Sequence, residues 1–152
     1  MELLNSLKSR LESYEKPFTH WAINKPLTDD AIKEICNADI ANPVSEGISY
    51  DGTRAIDGGE GKFRAGISDG GKALKFRCFI TKDNSNKFPA LTNLIKELQN
   101  KKTCETISKL IGKDLTKAYV RLEVICDRAG FWLKPHCDIK EKILSCLLFV
   151  YE

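Results

Sequence analysis

The chain has 152 residues, with 24 Lys and Arg against 21 Asp and Glu and 42% hydrophobic side chains. A chain of this length buries roughly 68–70% of its unfolded surface without help from metals or disulfides, so it reads as an ordinary globular protein. A formal charge of +3 with acids and bases interleaved argues against a nucleic-acid surface, and no run nears the about 20 apolar residues that span a bilayer.

Six cysteines form no Cys-x-x-C pair, and Met1 to Lys8 lacks a basic start ahead of an apolar segment. The expectation is a cytoplasmic protein with reduced thiols, several of them packed inside apolar segments, Cys146 among them.

Leu3, Leu4, Leu7 and Leu11 recur at helical spacing and predict an amphipathic helix over 2–15, stopped by Pro17. His20 to Asn24 reads as a short strand. Thr28 stands where an N-cap belongs, Asp29 and Asp30 suit the positive end of a helix, and a helix is expected over about 29–38. Residues 40–72 hold most of the glycine, in runs such as Asp57-Gly58-Gly59-Glu60-Gly61. Without the Gly-Lys-Ser/Thr ending of a phosphate loop, these runs read as turns. Ala73 to Ile80 alternates as a half-buried strand does. Leu91, Leu94, Ile95 and Leu98, then Ile107, Leu110 and Ile111, predict two helices within 88–112, broken near Asn100 and closed by Gly112. Ala118 to Cys126 alternates again, Asp127 to Gly130 turns, and Phe131 to Leu133 extends. Ile143 to Tyr151 is apolar on both faces, the pattern of a central strand. Helices lead and strands follow, which predicts an α+β arrangement.

His136-Cys137-Asp138 is the group that carries chemistry. On an extended chain alternate residues share a face, so His136 and Asp138 point together and Cys137 points away. Joined by a further histidine, such a pair makes the 2-His-1-carboxylate triad of non-haem Fe(II) sites. A His and an Asp so placed equally well hydrogen-bond each other or a turn.

The run Tyr119-Val120-Arg121-Leu122-Glu123-Val124-Ile125-Cys126-Asp127-Arg128-Ala129-Gly130-Phe131-Trp132-Leu133-Lys134-Pro135-His136-Cys137-Asp138 resembles the stretch leading to the iron ligands in Fe(II)/2-oxoglutarate-dependent oxygenases. It has the strand, the glycine turn, the aromatic residues and the ligand pair in that order. Phe88-Pro89-Ala90-Leu91 and the helices after it resemble the support helices of a bacterial and phage branch of the superfamily. The resemblance implies a single domain over 1–152, with helical support over 1–112 and the first strands of a double-stranded β-helix (jelly-roll, cupin-like) barrel over 113–152. It implies Fe(II) held by His136 and Asp138, and 2-oxoglutarate near Tyr119 and Arg121. The implied reaction is a dioxygenase hydroxylation coupled to decarboxylation of the cosubstrate.

The family pattern continues with a second histidine and a basic anchor for the cosubstrate. The residues after Asp138 contain neither His nor Arg, and Lys140 and Lys142 stand too close to the ligand pair to be that anchor. His20, the other histidine, reads as a strand-edge residue. A barrel of this type needs about eight strands, so a truncated barrel with an incomplete site is expected, binding metal weakly and turning over no 2-oxoglutarate alone. The alternative is a non-catalytic binding or assembly module on the same scaffold. An open-edged apolar strand over 143–151 further predicts a homodimer or larger assembly.

Overall fold

The computed structural model describes residues 2–38, 75–127 and 138–150. In chain order these carry α1 (Glu2–Ser9), β1 (Leu11–Tyr14), β2 (His20–Ile23), α2 (Asp29–Cys36), β3 (Lys75–Phe79), α3 (Pro89–Leu98), α4 (Lys101–Ile111) and β4 (Glu123–Asp127). The chain divides into two compact units, one of Met1–Asn37, Ser85–Arg121 and Val150–Glu152, the other of Ala38–Asn84 and Leu122–Phe149. Among the described residues the strands make two separate two-stranded antiparallel sheets, β1 with β2 and β3 with β4. No helix of the described residues is long and apolar enough to cross a membrane.

In the first unit, α1 buries Leu3, Leu4 and Leu7 against α3, whose Leu91 and Leu94 are also buried, and against α4, which contributes Ile107. Ends and ties are polar. The backbone N–H of Leu4 donates to Glu97 Oε1 of α3 at 3.1 Å, and the buried Ser6 hydroxyl donates to the Lys25 carbonyl at 2.7 Å. Thr28 Oγ1 accepts from the Ala31 N–H at 3.2 Å, so the N-cap expected there is formed. Phe88 and Pro89 open α3, and Glu34 of α2 accepts from the N–H groups of Ala90 and Leu91 at 2.6 and 2.9 Å, satisfying donors that helix start leaves open. Asn100 separates the two helices as the side-chain cap of α4, and Gly112 closes α4 with φ +66°. Both roles match the expectation from sequence.

One helix is shorter than its periodicity predicts. The run over 2–15 stops as a helix at Ser9, and Leu11–Tyr14 becomes a strand with Leu11 opposite Ile23, Ser13 opposite Trp21 and Tyr14 opposite His20. A four-residue spacing from Leu7 to Leu11 fits either continuation. Cross-strand partners decide it, because propensity alone holds a short helix only marginally.

In the second unit, β3 and β4 pair from Lys75 opposite Asp127 to Phe79 opposite Glu123, burying Cys78 and Val124 in one cross-strand pair. A further bond from the Ile80 N–H to the Leu122 carbonyl, 3.0 Å, extends the ladder. There the partner turns away: the Thr81 N–H goes to Asn84 Oδ1 at 2.9 Å, and Asn84 Nδ2 donates to the Phe79 carbonyl at 2.8 Å. The strand expected over 118–126 consequently begins only at Glu123. Residues 143–150, read from sequence as a buried central strand, form no strand, and Leu147 and Phe149 are 75% and 74% exposed. Apolar composition predicted burial, but among the described residues nothing covers them.

Candidate functional site

Of the two residues expected to bind iron, His136 lies outside the described residues, as do Cys137, the aromatic pair Phe131 and Trp132, and the glycine-rich stretch 40–72. Asp138 is described. A turn closed by the Lys142 N–H on the Ile139 carbonyl, 3.1 Å, folds the following residues back toward it. Lys142 Nζ then stands 3.0 Å from Asp138 Oδ1, and Ser145 Oγ donates to Oδ2 at 3.1 Å. The Asp138 and Lys142 side chains are 43% and 39% exposed, so this ion pair is a surface one of modest strength.

A divalent cation needs carboxylate oxygen, and Asp138 presents a solvent-reachable carboxylate whose oxygens are held by the Lys142 ammonium and the Ser145 hydroxyl. Its contacts to Lys142 and Ser145 are with groups at the surface that can move. Asp138 alone of the expected pair is placed, and it offers one oxygen donor with no second ligand beside it among the described residues. Among the described residues no three His, Cys, Asp or Glu side chains come together to hold a metal.

Tyr119 and Arg121, expected on a strand facing the cosubstrate, are not on a strand. Both precede β4 in an irregular segment of the first unit, with Tyr119 80% exposed, whereas Asp138 belongs to the second unit. His20 starts β2, its ring stacked on Tyr14 at a centroid distance of 5.0 Å and its Nδ1 2.8 Å from the Phe18 carbonyl. That is the strand-edge histidine expected.

The five described cysteines are free thiols. Cys78 is fully buried, accepting from Asn84 Nδ2 at 3.5 Å, while Cys146 is exposed and not the packed residue its apolar neighbours suggested. The Cys146 thiol is nonetheless raised above its ordinary pKa by local desolvation, which disfavours the thiolate.

A feature that sequence reading missed is a groove of about 210 Å³ in the first unit, rimmed by Glu2, Asp30 and Glu97 and floored by Leu27, Ala31 and Leu94. Glu2 and Asp30 stand in the first turns of α1 and α2, where acidic side chains offset the exposed N–H groups. That signal is visible in the sequence, but the meeting of the helices is not. No protein-family model, no curated protein and no solved structure matches the chain.

Proposed function

We propose that this chain carries the His-x-Asp part of an Fe(II)/2-oxoglutarate oxygenase-type site on a double-stranded β-helix scaffold, with His136 and Asp138 as two of its metal ligands. What supports it is the position of Asp138, a solvent-reachable carboxylate at the end of the residue run that resembles the iron-ligand strand. β4 lies inside that run and follows two helices, whereas its partner β3, like β1 and β2, lies within the stretch 1–112 expected to be helical support.

In this reading Asp138 supplies a hard oxygen donor and His136 an imidazole nitrogen, a donor set suited to Fe(II) or Mn(II). Bound iron would supply the oxidation of a substrate by dioxygen, coupled to decarboxylation of 2-oxoglutarate. Two protein ligands leave most of the coordination sphere to water, so affinity is low and turnover by these residues alone is not expected. Free thiols suit a reducing, cytoplasmic setting for such a site.

Titration of free Mn(II) by electron paramagnetic resonance tests the reading. Weak binding is expected, with loss of that binding in both His136→Ala and Asp138→Ala. Equal binding by wild type and both variants would overturn it.

A second reading, an assembly module that associates through its carboxy-terminal segment, is favoured by the exposure of Leu147 and Phe149. The two readings are compatible in one molecule.

A further inference from the structure

We propose that Ile143 to Phe149 is an unpaired strand that adds, edge to edge and antiparallel, to the same strand of a second copy, with Leu147 on the twofold axis. The inference rests on reading this segment as the one through which the protein associates, and it names the partner and the mode of pairing. Residues 143–150 contain no helix, turn or bend, and none has a positive φ, so the backbone is extended. Exposure alternates along it as on a strand: Ile143, Leu147 and Phe149 are 50%, 75% and 74% exposed, whereas Leu144 and Leu148 are 38% and 41%. Yet among the described residues no backbone N–H or C=O from Ile143 to Phe149 makes a hydrogen bond. An extended apolar segment with both edges open is a template for another strand, because a ladder satisfies its backbone while cross-strand neighbours cover its side chains.

Charge makes a copy of the same segment a fitting partner. The stretch itself carries none, and in sequence it lies between Lys142 and Glu152. A parallel pair of copies would set each of these charges against its like. An antiparallel pair sets Lys142 opposite Glu152 of the partner subunit, which attracts. Lys142 has three N–H donors, so its contact with Asp138 leaves donors for that carboxylate. The turn closed by the Lys142 N–H on the Ile139 carbonyl makes Lys142 the first position that can join the ladder. Counting inward from Lys142 and Glu152 brings Leu147 opposite the partner's Leu147. Directly opposed residues share a face, so the more exposed positions of both copies fall on one side of the ribbon and the less exposed ones on the other. A two-stranded ribbon is only marginally stable by itself, so the association is weak and rises with concentration.

Disulfide trapping tests the register. Leu147→Cys and Leu144→Cys, each combined with Cys146→Ser, are oxidised with copper phenanthroline on the full chain and compared with Cys146→Ser alone on non-reducing gels. The two Leu147 Cα atoms should stand about 4.5–5.5 Å apart, inside the range of about 4.4–6.8 Å that a disulfide spans, whereas Leu144 is about 20 Å from its own copy. Light scattering of the wild type and of Leu147→Lys, Phe149→Lys measures association itself. Association that the double Lys variant loses, with a covalent dimer in Leu147→Cys exceeding both Leu144→Cys and the Cys146→Ser background, supports the pairing. Association that the double Lys variant loses, with no such excess in Leu147→Cys, overturns the pairing while association through the segment stands. A wild-type monomer at high micromolar concentration, or association that the double Lys variant keeps, overturns both. The substituted side chains are exposed, and circular dichroism of each variant confirms folding before measurement.

Discussion

Thr103 shows what a single atom costs in this protein. It is fully buried in α4, and its Oγ1 finds no hydrogen-bond partner among the described residues. An unpaired buried hydroxyl carries a desolvation penalty of about 1–3 kcal/mol, which a methyl group in the same place does not. Thr103→Val is therefore expected to stabilise the first unit by about 1 kcal/mol, seen as a rise in the urea midpoint with unchanged slope. Composition holds no hint of this. Thr reads as a surface residue in any helical pattern, and only the packing of α4 against its neighbours turns it inward. Asp138 teaches the converse. Sequence singles it out for chemistry, and spacing alone contains the means to pair it with Lys142, four residues on, yet the loop that delivers Lys142 and Ser145 to its two oxygens is a tertiary fact.

At the scale of elements, local chemistry is readable wherever a cap or a stop residue acts within its own turn. Thr28, Asn100 and Gly112 each hold the position their residue type suggests, because the bonds they make are to N–H or C=O groups at most a few residues away. A Cβ added at Gly112 meets no atom within 4 Å, so the cost of Gly112→Ala is conformational alone. The left-handed backbone at φ +66° sets that cost at about 1 kcal/mol after the gain from a stiffer unfolded chain, and Gly112→Asn should lose less. Thermal unfolding of the two variants side by side measures the difference. Elements decided by distant partners are not readable in this way. Leu11 to Tyr14 leaves the helix because β2 is available to pair, and Tyr119 to Arg121 fails to become a strand because the chain after Ile80 turns into the Asn84 loop. The β2 partner is only a short loop away, yet the Leu7-to-Leu11 spacing fits helix and strand alike, and the Asn84 loop lies too far from Tyr119 in sequence to leave a mark on periodicity.

At the scale of the whole molecule, Leu147 and Phe149 are the side chains that ask for a partner. Two large apolar side chains exposed by three quarters, with Ile143 half exposed beside them in sequence, form a segment that self-association would remove from water. Light scattering coupled to size exclusion is expected to show a dimer or larger species whose population rises with concentration, and a shift to monomer in the double variant Leu147→Lys, Phe149→Lys. A wild-type monomer at high micromolar concentration would end that idea. The pairing of β3 with β4 has a different consequence, one that belongs to biosynthesis. The hairpin β1–β2 closes over a short loop, but β3 leaves the ribosome well ahead of β4, with α3, α4 and their connections translated in between. At about 5–20 residues per second that wait lasts seconds, far longer than a hairpin needs to form. Throughout it Cys78 and Ile80, buried in the finished protein, have no strand opposite them, which gives a holding chaperone reason to grip β3 on the nascent chain.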